Sequence, residues 1–466
     1  MDGTTKNNRR IGGHKHSEGC CCQQPASRVQ HARDWFLQAC PQSFFHTLHR
    51  VWEIPERRRV FTLSVTVWLM IMQRLSGNGG TLAAVVSELV NGNGWDALEP
   101  CRRVREHRIS TSTGGFSQAR LQVPVEAARQ VSQQTFDHLY RVLRKEDDLR
   151  HRLFLLDGSS IELAHTKEIR KEYGLAKNQH GESHWPVMRV VVMHHVATGL
   201  ALPPEYGAMY GTHATGEQKL GEKLMAALPP SAVLIADRNF GIFSVIWQAV
   251  QLRHDVVIRL TKVRAEKIHR NLKRGDDQRV IWEPTRHDRL NNQDLPEAAK
   301  LQGRLLLLDG EIGAEPLYLF TTLEEPAATI AGLYKERWLV ETDLRSLKEQ
   351  VKLHSISAKT PQMAATELLL AVTAYNLIRA VMGEAAGQIG VDPRRLSFSR
   401  SQAAFWAFTR AVSQGCSTEK FEYHWQLLLR SLSQCKLPNR KRPSELRQIW
   451  GKQSAFPRRK ATPEEN

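Results

Sequence analysis

The sequence predicts a mixed α/β protein, in which a mixed sheet with helices packed on it lies between an all-α N-terminal region and an α-rich C-terminal one. Three changes of texture predict it. Helical patterns fill the chain to about residue 146: HTLHRVWEI, VFTLSVTVWLMIM, TLAAVVSELV and VPVEAARQVSQQTFDHLYRVL, separated by GNGG, NGNG and STSTGG. From Leu153 the runs become short and apolar: LFLLDGSSIEL, PVMRVVVMHHVATGLALPPEYG, SAVLIADRNFG and DVVIRL, with helical stretches at 216–228 and 241–252 between them. After Pro326 helices return through AATELLLAVTAYNLIRAVMGEAA to about Leu432.

These changes divide the chain. Residues 1–27 are polar, with HKH at 14–16 and CCC at 20–22, and read as a disordered tail. Adjacent cysteines lack the two-residue gap that lets paired thiolates close a zinc site. An α-helical region over 28–146 precedes a sheet-and-helix unit over 147–261. A polar, basic, strand-rich piece over 262–322, ending in GRLLLLDG and PLYLFTTL, reads as a β insertion. The unit resumes over 323–385, and 386–466 is α-helical before a basic tail. That tail holds nine Lys or Arg against one Glu between Lys436 and Lys460.

The charge balance narrows the class of partner. With 65 Lys plus Arg against 48 Asp plus Glu, the formal charge of +17 favours a polyanion, most commonly nucleic acid. Arginines cluster at Arg57, Arg58 and Arg59 and again at Arg102, Arg103 and Arg105, as phosphate grips or as a solvated basic face. Seven Cys without a regular framework predict a reducing compartment and no disulfides. The most apolar run, Val60 to Met72, is shorter than the roughly 20 residues a bilayer requires, so it reads as a buried helix, and no membrane span is expected.

Three carboxylates are candidates for chemistry. Asp157 closes the run LFLLD, and Asp237 closes VLIAD, followed by Arg238 and Asn239. Asp-Gly after a strand is also an ordinary turn. Strand ends, however, are where α/β sheets present working side chains, and two such acids can converge on a cation. The third lies in YKERWLVETDLRSLK, where Tyr334, Arg337, Glu341 and Lys348 are separated by two, three and six residues. At about 100° per residue they fall at about 0°, −60°, −20° and −40°, one stripe roughly 60° wide. Leu333, Val340, Leu344, Leu347 and Val351 form the adjoining apolar stripe. Arg337 and Glu341, at i and i+4, equally suit a surface ion pair.

A Glu flanked by Arg, Tyr and Lys suits a ligand carrying both metal and phosphate. Carboxylates take Mg²⁺ or Mn²⁺ through hard oxygens, while Arg and Lys meet phosphate oxygens. Two ions about 3.5 to 4 Å apart serve an in-line phosphoryl displacement.

The pattern resembles the Tyr-Arg-Glu-Lys signature of bacterial DDE transposases of the insertion-sequence family four. LFLLDGSS resembles the first-aspartate motif, WPVMRVVVMHHVATGLALPPEYG the strand pair after it, ADRNFG the second-aspartate motif, and FSQARLQVP a segment common just before the catalytic domain. The resemblance spans about 116 to 351. It implies an RNase H-like catalytic domain interrupted by a β insertion before the helix bearing Glu341. It also implies divalent metal on Asp157, Asp237 and Glu341, with Tyr334, Arg337 and Lys348 on the DNA-end backbone. Arg238 is a further candidate contact.

The implied activity is cut-and-paste transposition: nicking, a hairpin at the element end, reopening and joining. Double-stranded DNA, as element ends and target, is the implied partner, a homodimer the implied assembly, and the bacterial cytoplasm at the nucleoid the implied location. Hairpin formation calls for an aromatic to stack a flipped base, and Trp282, the only Trp of the insertion, is the candidate, against an ordinary core role. A nuclease on the same fold and a catalytically silent DNA-binding regulator are the competing readings.

Overall fold

The computed structural model describes residues 32–438, except 55–59, 78–79, 93–102, 104–105, 107, 146–147, 180, 309–315 and 413–416. The tail over 1–27, most of the two arginine clusters and the basic stretch after 438 lie outside the described residues.

Among the described residues ten strands occur in chain order: β1 (Leu153–Glu162), β2 (Lys177–Asn178), β3 (Gly181–Glu182), β4 (Val187–His195), β5 (Glu205–Ala208), β6 (Val233–Ala236), β7 (Asp255–Arg259), β8 (Asp277–Trp282), β9 (Leu301–Leu308) and β10 (Leu317–Thr321). The short β2 and β3 pair with each other, and the other eight form one sheet in the order β5-β4-β1-β6-β7-β10-β9-β8. Strands β5, β4 and β1 are antiparallel neighbours, whereas β1, β6 and β7 run parallel. The helices Glu217–Met225 and Phe243–Gln251 lie in the crossovers that parallel pairing requires. This five-strand arrangement is the mixed sheet that the sequence pattern predicts, in the RNase H-like form that the resemblance implies.

The insertion does not fold apart from that sheet. β10 pairs antiparallel with β7, β9 with β10 and β8 with β9, so its strands carry the central sheet outward. The stretch also holds two short helices, Lys262–Ile268 and Arg286–Asn291. At 7 and 6 residues both are too short to show a hydrophobic period, and each starts at an N-cap, Thr261 and Thr285, the latter in a capping box with Asp288.

Side chains alternate across the sheet, which separates two cores. Phe154 and Leu156 join a large cluster with the surrounding helices, while Leu153, Leu155, Val233, Ile235, Val257 and Leu319 form a second one beneath Ile330, Tyr334 and Val340. The helix Pro361–Gln388 organises the larger core. It is apolar all round and buried for most of its 28 residues, so it must be covered from every side. By length and hydropathy it could cross a membrane, but 89% of its apolar window is buried inside the protein.

Its cover comes from both ends of the chain. Leu63–Leu75 and Val125–Leu143 belong to the same core, and Trp35 meets Trp425 edge to face at 6.1 Å. Glu367, 3% exposed on the central helix, pairs with Arg74 at 2.7 Å and with Arg120. The helical regions at the two ends therefore share one core with the sheet.

Candidate active site

Strand register brings two of the predicted acids together. Leu156 of β1 lies beside Ala236 of β6, so the next residue on each parallel strand, Asp157 and Asp237, lies beside the other at a strand spacing of about 4.8 Å. Alternation fixes where they point. Asp157 follows Leu153 and Leu155 on one face, and Asp237 follows Val233 and Ile235; that face is the one covered by the helical segment carrying Glu341.

That segment is helical from 327 to 350 but not of uniform pitch. Ala327–Lys335 is α-helix, Glu336–Trp338 a 3₁₀ turn, Leu339–Arg345 α-helix again and Ser346–Gln350 a π turn. The even 100° wheel is thus a simplification: the tight turn overwinds and the wide turn underwinds the stripe. The apolar anchor holds, with Val340, Leu347 and Val351 fully buried.

Asp343, two residues beyond Glu341, fixes the segment from within. It is wholly buried and accepts from Arg379 Nη2 at 2.6 Å and from Arg394 Nη1 at 2.9 and 2.8 Å. The far end is tied as well: Gln402 donates to the Gln350 carbonyl at 3.1 Å, and Arg74 to that of Lys352 at 3.0 Å. Lys352 has φ +62°, a conformation costly for a residue with a Cβ, so these two bonds define where the helix stops.

Electrostatics mark the site. Burial, reinforced by the negative charges of Asp237 and Glu341, pushes the Asp157 carboxyl above its ordinary range, with the Gly158 N–H and Arg337 opposing. Asp157 Oδ1 accepts from Gly158 N at 2.8 Å, and Asp237 Oδ1 from Asn239 N at 2.9 Å. Glu341 is 60% exposed and rests against Arg337 Nη2 at 3.3 Å. The i,i+4 ion pair therefore forms, and it coexists with the influence of Glu341 on Asp157.

Among the described residues no three His, Cys, Asp or Glu side chains are already gathered as a metal cage. The donor set nevertheless fits a hard divalent ion. The charges of Asp237 and Glu341 raise the proton affinity of Asp157, and a cation relieves that same repulsion.

The remaining candidates divide. Arg337 lies half-buried beside Glu341, Lys348 is half-buried on the π turn, and Arg238 is exposed next to Asp237. Tyr334 is 8% exposed; burial pushes its hydroxyl up to about 12, with the nearby Arg337 charge opposing. It therefore offers DNA little surface. Trp282 has a core setting: it is 5% exposed and its ring makes T-shaped contacts with Phe243 at 5.7 Å and Phe320 at 5.5 Å.

Two residues that sequence reasoning passed over belong to this region. Trp338, between Arg337 and Glu341, is 51% exposed. Glu217 begins the helix Glu217–Met225, and its carboxylate accepts from Asn239 Nδ2. Burial, then the charges of Asp157 and Asp237, raise its proton affinity, while Arg189 and the Asn239 bond oppose. Neither residue has a spacing that distinguishes it in one dimension.

Residues 148–377 match the model of the transposase DDE domain. The chain belongs to the DDE transposase family. The transposase InsG of insertion sequence element IS4 from Escherichia coli K12 is 22% identical over 363 residues, covering 74% of this chain and 75% of that one. Among solved structures, a piggyBac transposase synaptic complex with hairpin DNA is a looser likeness, at 10% identity and a TM-score of 0.44 over 90% of this chain and 87% of that one. The matched domain runs from just before β1 into the central helix and so contains both strand-end aspartates and the Glu341 segment.

Proposed function

We propose that this transposase cleaves DNA at the ends of its element and joins the freed ends to a target duplex, using divalent metal held by Asp157, Asp237 and Glu341. The observation that carries the reading is the β1–β6 register, which sets the two aspartates side by side on the face that the Glu341 segment covers. When bound, a pair of Mg²⁺ or Mn²⁺ ions supplies charge stabilisation at both the attacking and the leaving oxygen.

The chain's own groups do the rest. Arg337 offers a forked donor to a phosphate and Lys348 a point charge, while Tyr334 lies beside Arg337 at the rim of the core. Arg238, exposed at the strand end, supplies a further cation to the backbone. Asp343 and its two arginines hold the helix so that Glu341 meets the aspartates. The net charge of +17 suits both the end and the target DNA, and two subunits pairing two ends make a homodimer the working assembly. A hairpin intermediate is compatible with this site, and the burial of Trp282 favours a core role for that residue over base stacking.

The test uses duplex DNA carrying the inverted repeats that flank the reading frame. With Mg²⁺ the parent chain should nick these ends and link them to a second duplex. Asp157→Asn should bind the ends with near-parental affinity and do neither. Cleavage without any joining would favour the nuclease reading, and cleavage by Asp157→Asn would remove Asp157 from the site.

A further inference from the structure

We propose that Glu217 is a fourth carboxylate of the metal site, reaching the strand-end aspartates from the opposite face of the sheet. This rests on the reading of Asp157, Asp237 and Glu341 as metal ligands and extends it to a residue outside their pattern. Three placements support it.

First, Gly158 follows Asp157 and so faces the other side of β1, the side of Leu156. A Cβ at position 158 would fall on the Glu217 carboxylate, so Glu217 occupies the space that any side chain there would take. Second, the same carboxylate accepts from Asn239 Nδ2, while the Asn239 backbone N–H caps Asp237 Oδ1 at 2.9 Å. Glu217 therefore borders Asp157 through Gly158 and Asp237 through Asn239. Third, Gln218 Nε2 donates to Asn239 Oδ1 at 2.9 Å and to its carbonyl at 3.1 Å, which tethers the start of the Glu217 helix to the Asp237 turn.

The chemistry suits a ligand more than a clamp. Asn239 is already tied by Gln218, so holding the turn does not require an acid at 217. A carboxylate brought beside two others without a cation is repulsive, whereas a divalent ion accepts up to six oxygen ligands and gains from each added charge. The mixed sheet supplies the route. β6 ends at Ala236 while β1 continues to Glu162, so beyond Asp237 no β6 residue pairs with β1, and the edge of β1 beside Gly158 is open to a group from the Glu217 side.

The experiment titrates MnCl₂ into the purified full-length chain without DNA and follows free Mn²⁺ by its paramagnetic resonance signal, with thermal melts in parallel. Glu217→Gln keeps an oxygen for Asn239 and loses the charge. It should weaken Mn²⁺ binding roughly tenfold or more while melting like the parent. Glu217→Asp, which restores the charge on a shorter arm, should recover most of that loss. Gly158→Ala tests position alone: only the flexible end of Glu217 must yield, so the fold persists while Glu217 is displaced and Mn²⁺ affinity falls.

Parental Mn²⁺ affinity in Glu217→Gln overturns the proposal; if that variant melts early, Gly158→Ala decides in its place. Asp157→Asn separates this failure from failure of the site itself. If Asp157→Asn loses Mn²⁺ and Glu217→Gln does not, only the role of Glu217 falls. If neither loses it, the three-acid reading falls too.

Discussion

Asp343→Asn offers the most direct measure of how the site helix is held. The substitution keeps the side chain's shape and removes its charge, leaving Arg379 and Arg394, 4% and 7% exposed, without the carboxylate they share. Removing one partner of a buried pair costs about 3–5 kcal/mol, because the remaining charge stays desolvated. The upper half of that range is expected, since two guanidiniums are stranded and an amide oxygen accepts fewer of their bonds. Against a typical total of about 5–15 kcal/mol, that is a large loss.

The assay is the urea midpoint followed by circular dichroism, with DNA-end cleavage measured on the folded fraction. The pH dependence provides a second arm. Burial opposes ionisation of Asp343, but Arg394 and Arg379 outweigh it and hold the carboxyl below its ordinary range. A depressed folded value means stability that is present above the unfolded value of 3.8 and is lost as pH falls through the folded one. The deficit of Asp343→Asn should therefore be full at neutral pH and shrink in acid. A variant within about 0.5 kcal/mol of the parent at pH 7 would refute the buried triad as the anchor of Glu341.

Three other outcomes are expected. Without metal, Asp157→Asn should melt higher than the parent at neutral pH: the raised folded carboxyl value means stability present at low pH and lost as pH rises through that value, and calorimetry on the metal-free protein checks this. Trp282→Ala should lose about 3–5 kcal/mol by opening a cavity between Phe243 and Phe320; an unchanged melt with a specific defect at a hairpin step would instead return Trp282 to the DNA. Lys348→Ala should weaken end binding similarly across DNA sequences and lower the slope of log affinity against log salt by about one, as read by fluorescence anisotropy at several salt concentrations.

Much of this protein is local, and local features are legible in one dimension. The runs LFLLD and VLIAD are strands because they are apolar and end in an acid, and the Tyr334-to-Lys348 spacing reads as one helix face because a helix repeats every 3.6 residues or so. From these the sequence alone determined the mixed sheet and its helical flanks, and it singled out three acids and a polyanion partner as candidates. Tertiary structure decided what depends on pairing between distant segments. The insertion joined the central sheet because β7 offered β10 an open edge, which no pattern within 262–322 announces. Trp282 went into the core because Phe243, far from it in sequence, lay opposite. Glu217 reached the aspartates because Gly158, 59 residues earlier, left room for it, and a gap made by a missing side chain exists only once both faces of the strand are covered.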